Sequence, residues 1–577
     1  MPSYEIVIKN GIVVDGSGTP RFRGDVAVSG GRIARIGRIP AEEGARVIDA
    51  TGLIVAPGFI DLHTHYDAQV FWDPYVTTSG WHGVTSVVTG NCGFGFAPVR
   101  PEERERAMLS MTAVEDIPTE TLRLGLPWDW VSFPEYLDSL ARTPKAVNVL
   151  PYVPLNPLLV WVLGLERAKA GDKPTPEENA EIARILTEAM EAGAGGWSAQ
   201  CLGRPGHPED RLMQGDFDGS PMPTDVMWPE TRVAVAEALA RLGRGFMQLS
   251  GTSITEEEFE SLVEISGRPL IWNAVIANTR SGGLYRRKIE WLKQCQEKGL
   301  PIYGQAMTTD VPVPFSWLYG GLSVRPPVST VFEAETAEEK IALLNDPQIR
   351  AELKEFDPFV YHAYPDMRLH RTFTEEYKQY EGLRFKEIAE RTGQDPIDIL
   401  CDVTIADGLR TEVHTGQFNA SLEGLRELVD YEYLIPGLSD GGAHLKTLSA
   451  GMYGTEYIVE YVRKHGWTSL ERAHWRLSAL PAHCAGFTDR GILREGAAAD
   501  IIVYDYDRLA YGDPEFRHDL PAEQLRTVIS ATGYRYILVN GQVTVEDDKE
   551  LGVHSGELLR HGTGDGTAAG TGDGTGA

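Results

Sequence analysis

Apolar and polar positions alternate in short steps over the first fifty residues. Glu5-Ile6-Val7-Ile8-Lys9 and Ile12-Val13-Val14-Asp15 flank Asn10-Gly11, and Asp25-Val26-Ala27-Val28 and Arg32-Ile33-Ala34-Arg35-Ile36 flank Gly30-Gly31. Runs of β-branched residues broken by such dipeptides predict strands joined by hairpin turns. The pattern returns near the other end, in Asp500-Ile501-Ile502-Val503-Tyr504 and Tyr536-Ile537-Leu538-Val539-Asn540-Gly541-Gln542-Val543. The two chain ends are therefore expected to build one small β-sandwich domain, residues 1–56 with 487–560.

Between them the pattern changes at Pro57-Gly58-Phe59-Ile60-Asp61-Leu62-His63-Thr64-His65, an apolar run that ends in two histidines one residue apart. Residues i and i+2 of a strand point to the same side, so the two imidazoles stand over one spot at the strand's end. That arrangement is a candidate metal site.

PGFIDLHTH, Gly90-Asn91-Cys92-Gly93 after an apolar strand, Gly437-Leu438-Ser439-Asp440-Gly441-Gly442-Ala443-His444 and Gly556-Glu557-Leu558-Leu559-Arg560 together resemble the amidohydrolase superfamily, in particular its D-aminoacylase-like branch. The resemblance implies an α/β fold, a (β/α)8 TIM-like barrel over 57–486 with its site at the C-terminal strand ends, beside the terminal β-domain. It also implies that His63, His65, Cys92 and Asp440 fall on metal-site positions, with Asp440 handling the proton.

The middle of the chain fits such a barrel. Thr175-Pro176 opens a helix whose Ile182, Ile185, Leu186 and Ala189 recur at helical spacing, and Gly193 stops it. Strands are expected at Gly196–Ser198, Gly245–Ser250, Pro269–Val275, Leu300–Gln305 and Tyr433–Asp440, the last placing Asp440 at the barrel mouth. The stretch 311–384 is too long for a plain loop and is read as a helical insertion over the site. The Gly/Thr/Asp-rich tail 561–577 cannot bury a core and is expected to be disordered.

Composition narrows the class. At 577 residues and 42% hydrophobic, the chain can bury a large core. Its formal charge of −29 disfavours a nucleic-acid partner, which needs Lys and Arg against phosphates. No apolar run approaches a membrane span and no signal peptide precedes the first strands, so a cytoplasmic location is expected. The five cysteines lack paired spacing and read as reduced thiols.

The chemistry is open at one point. Two histidines and an aspartate suit zinc or iron, and a cysteine thiolate can complete the shell. By the resemblance, two further metal histidines belong on the fifth and sixth strands, where this chain has Gln248 and Asn273, and Ser250 stands where the deacylases carry a carboxylate-gripping arginine. Glu412 and His414, in an extended run, could offer a carboxylate and an imidazole to a second ion. In its lost histidines the chain also resembles the amidohydrolase-fold diiron hydroxylase of platensimycin-type diterpenoid pathways. The first reading is therefore a non-haem iron monooxygenase, with one or two iron ions, that uses O2 to hydroxylate a bulky apolar, CoA-linked small molecule. The alternative is a zinc-dependent hydrolase of amide bonds. A homo-oligomer is compatible with either.

Overall fold

The computed structural model describes residues 2–209, 215–251, 253–277, 283–309, 314–317, 326–334, 336–355, 364–414, 422–446 and 450–561. Among them, eight parallel strands follow one another around a barrel. They are Phe59–Asp61, Val84–Thr89, Asn148–Pro151 with its continuation Val153–Pro154, Gly196–Gln200, Phe246–Ser250, Leu270–Val275, Ile302–Met307 and Leu434–Gly437. Parallel ladders join them in chain order, and a parallel bridge between Thr64 and Gly441 links the ends of the eighth and first strands. These strands are buried along nearly their whole length, because helices cover their outer faces.

The expected helix is present as Pro176–Glu191. Thr175 and Glu178 cap it reciprocally, proline occupies its first turn, and Ile182, Leu186 and Ala189 are buried. The other forecast strands lie within a few residues of their predicted places. The eighth is shorter, Leu434–Gly437, because Gly437, Leu438 and Asp440 take φ values of +134°, +56° and +46° and turn the chain out of the ladder.

Both chain ends contribute to one nine-stranded sheet. Ile501–Tyr504 lies antiparallel between Ile54–Pro57 and Tyr534–Val539. Strand Tyr4–Val13 pairs Gly44–Asp49 with its first half and Ile54–Pro57 with its second, so the sheet divides along it. The expected hairpin at Asn10-Gly11 does not form. That strand runs straight through as a bulge paired with Phe22–Ser29, and Asp25 takes up the Asn10 N–H at 2.8 Å. The turn at Gly30-Gly31 is as expected, with φ of +57° and +73°.

Ile54–Pro57 leads into the first barrel strand through Gly58. A side chain there would stand 2.2 Å from Thr85 Oγ1, so only glycine lets the first two barrel strands pack. Asp500 ties sheet to barrel: its carbonyl accepts from Gly58 N–H, and its carboxylate accepts from Asn148 at 3.1 Å and Arg490 at 2.8 Å.

Between the seventh and eighth barrel strands lie helices including Ala337–Asn345, Pro347–Glu355, Phe385–Thr392 and Pro396–Ala406. They share an apolar core of their own, built on Trp317, Leu344, Phe385, Ile388, Leu400 and Val413. This helical segment reaches well past 384. The tail expected to be disordered falls at 562–577, outside the described residues.

Candidate metal centre

The first barrel strand ends at Asp61, and the alternation that makes it a strand carries His63 and His65 to one side of its C-terminal end. Both are 2% exposed, with ring centroids 5.4 Å apart. Cys92 arrives from the turn after the second strand, held at φ +57° between Gly90 and Gly93, each at +77°. One ligand atom from each of His63, His65 and Cys92 lies within 4.8 Å of the others, and Cys92 Sγ is 3.6 Å from His63 Nε2.

Asp440 closes the group from the turn after the eighth strand. Its Oδ1 is 3.1 Å from His63 Nε2 and 3.8 Å from His65 Nε2, while its side chain is 20% exposed. The glycines after it are required: Gly442 sits at φ +91°, and a Cβ there would meet the His65 carbonyl oxygen at 2.5 Å. The forecast trio and Asp440 are thus brought together.

Electrostatics favour a cation here. Burial works to lower the pKa of His63, but the charges of Cys92 and Asp440 win and hold it well above the usual value. Burial would raise Asp440, yet its hydrogen bond with His63 keeps it low. His65 is pushed down to about 3 by burial and by the charge of His63. A sulfur, two imidazoles and a carboxylate converging in buried space form a donor set that suits zinc.

Three neutral amides from consecutive strands stand behind these groups. Gln248, on the fifth strand, accepts the Cys92 N–H at 2.7 Å, and Ser250 Oγ donates to Cys92 Sγ at 3.2 Å. Asn273, on the sixth, contacts His63 Nδ1 through its amide, which also meets Gln305 Oε1 of the seventh at 3.2 Å.

Sequence reasoning missed Glu115. It is the last residue of helix Arg104–Glu115, 3% exposed, with Oε1 3.5 Å from His65 Nδ1 and Oε2 3.7 Å from His444 Nε2. Burial holds its pKa well above the usual carboxylate range, and the charges of Cys92 and Asp440 add to the effect. A signal existed: Glu115-Asp116 puts two acidic residues at a helix C-terminus, where the helix dipole disfavours them. Asp61, whose Oδ1 accepts the His63 N–H, was also missed; burial pushes it up to about 7.

His414 does not join the site. It ends strand Glu412–His414 in the small sheet of the helical segment, with its ring stacked on His370 at 3.8 Å. Glu412 pairs with Arg371 at 3.7 Å instead of turning to a shared ion. The alternation of that strand was read correctly, but its place in the fold is another sheet, paired with Arg368–Arg371.

A family model described as "Amidohydrolase family" matches residues 46–201 and 444–545. The D-aminoacylase of Alcaligenes xylosoxydans xylosoxydans is 26% identical, the match covering 96% of this chain and 97% of the relative. Among solved structures, a D-aminoacylase described as having a binuclear metal centre, with one-metal activation and second-metal attenuation, superposes with a TM-score of 0.63 at 22% identity, over 96% of this chain and all of that one. An N-acyl-D-glutamate deacylase of Bordetella bronchiseptica, complexed with zinc and a phosphonate inhibitor, gives 0.61 at 23% identity, over 97% of this chain and all of that one.

These likenesses run the length of the chain and are to deacylases, which overturns the reading as an iron monooxygenase and with it the use of O2. Missing histidines change how many ligands a site offers; they do not by themselves supply redox chemistry. The chain belongs to the amidohydrolase superfamily, in its D-aminoacylase-like branch.

Proposed function

We propose that this chain is a metal-dependent hydrolase of amide C–N bonds acting on N-acylated small molecules, with one zinc ion held by His63, His65, Cys92 and Asp440. What carries the reading is the convergence of those four side chains at the barrel mouth in a chain whose near-full-length relatives include several deacylases. A zinc ion bound there supplies Lewis acidity toward a carbonyl oxygen and a water made acidic enough to attack. Asp440, low in pKa and partly open to solvent, would take one proton from the attacking water as the C–O bond forms and then deliver it to the nitrogen as the C–N bond breaks. Ser250, which bonds Cys92, leaves no arginine at that position to grip a substrate carboxylate, so substrates need not be free N-acyl amino acids.

Five buried, unpaired cysteines fit a reducing compartment and support a cytoplasmic location. No helix among the described residues is long and apolar enough to cross a membrane. The test is amine release by zinc-loaded protein from a panel of N-acyl-D-amino acids and uncharged N-acyl amides, alongside metal analysis. One zinc per chain with turnover of any panel member supports the reading; full zinc occupancy without amide cleavage overturns it.

A further inference from the structure

A metal on Nε2 of a histidine requires the proton on Nδ1, and that proton needs an acceptor to fix the ring. His63 Nδ1 faces the buried side-chain amide of Asn273, 4% exposed, and that amide in turn faces Gln305, fully buried. The other ends of the two amides, Asn273 Oδ1 and Gln305 Nε2, have no hydrogen-bond partner among the described residues. A primary amide carries an oxygen and two N–H donors on one planar group, and a half-turn about its last bond exchanges them. Turned together, the pair reads His63 Nδ1–H to Asn273 Oδ1, with Gln305 Nε2–H donating to the same oxygen.

We propose that Asn273, backed by Gln305, is a positioning residue that holds His63 in the tautomer whose Nε2 lone pair faces Cys92 and Asp440. This rests on the metal-site reading above and deepens it. The chain then has a specific use for the amide that stands where its relatives' resemblance calls for a metal histidine. A neutral amide can serve either polarity of the contact without burying a charge, so it stabilises the metal-free ring and the metal-bound ring alike. Gln248 acts in parallel on the second ligand, since its Oε1 fixes the Cys92 backbone. The amides of the fifth, sixth and seventh strands thus form a supporting layer for one ion.

The test is zinc affinity of the full chain by competition with a chromophoric chelator, with thermal stability of the metal-free protein measured in parallel. Asn273→Leu, which keeps the branched shape and removes the acceptor, is expected to weaken zinc by about 10–100-fold, the usual cost of losing a partner behind a metal ligand. Its metal-free melting temperature falls as well, because His63 Nδ1 and the Gln305 amide each lose their partner in buried space; the aspartate variant, which keeps a partner, separates that cost from the loss of zinc. Asn273→Asp keeps the acceptor and is expected to bind zinc as tightly as the wild type or more tightly. Gln305→Leu weakens zinc less than Asn273→Leu and adds nothing to it in the double variant, since Gln305 acts only through Asn273. Wild-type affinity in Asn273→Leu, or an Asn273→Asp protein as weak as the leucine variant, overturns the proposal. If Asn273→Leu does not fold, the aspartate and Gln305→Leu variants decide it by the same comparison. A wild-type protein that binds no zinc instead removes the metal reading itself.

Discussion

Asp440→Asn is the sharpest test of the proposed chemistry. The replacement keeps the side chain's shape, so one oxygen can still stand about where Oδ1 lies, 3.1 Å from His63 Nε2 and 3.8 Å from His65 Nε2. What it removes is the charge and the second acceptor, hence the ability to carry a proton. Loss of a general base costs about 10²–10⁴ in rate, which is about 2.7–5.4 kcal/mol in activation free energy at 1.36 kcal/mol per tenfold. The assay is amine release at saturating zinc, so that weakened metal binding does not masquerade as lost catalysis. We expect kcat to fall by that factor with KM little changed, and zinc content to remain near that of the wild type. Because the side chain is partly exposed, formate should partly restore turnover to Asp440→Ala. A fully zinc-loaded Asp440→Asn protein within tenfold of wild-type kcat would refute the role.

Further outcomes follow from the same geometry. His63→Ala or His65→Ala should lose both zinc and turnover, as metal analysis after dialysis would record; full occupancy in either would show that the ion sits elsewhere. Replacing Gln248 and Asn273 together by histidine should raise bound zinc from one ion per chain toward two, and an unchanged stoichiometry would count against the alignment of those positions with the family's ligands. In the β-rich sheet, burial opposes ionisation of Asp25, but Lys9 at 2.6 Å and the N–H groups of Asn10 and Ile39 win and lower its pKa. That stability is present above the unfolded value of 3.8 and is lost as pH falls through the lower folded value. Asp25→Asn should therefore destabilise at pH 7, by about 1–3 kcal/mol, and in denaturant titrations the gap to wild type should close as the pH falls through the lowered folded value.

The first-strand histidines and Asp440 were legible as metal-site candidates from short local signals, whereas Cys92 was placed there only by the family resemblance. HxH at the end of an apolar run needs only the two-residue period of a strand, and Asp440 before two glycines needs only a turn. The composite sheet was legible for the same reason, since both ends carry alternating runs of matched length. The backbone bulge at Asn10-Gly11 was not, because the same dipeptide makes a hairpin or a bulge according to which strand lies beside it, and here Asp25 and Val55 settle the matter. His414 has a sound local pattern too, but only the tertiary structure assigns its strand to a separate small sheet. Glu115 reaches the site from a helix fifty residues beyond His65, a distance no periodicity spans. The amides carry the same lesson. From the sequence, Gln248 and Asn273 read only as missing ligands; the barrel, by setting strands five to seven side by side, turns them with Gln305 into the groups that hold the ligands. Local sequence fixes which way a side chain points along its own element, whereas the closure of eight strands into a ring decides which side chains meet.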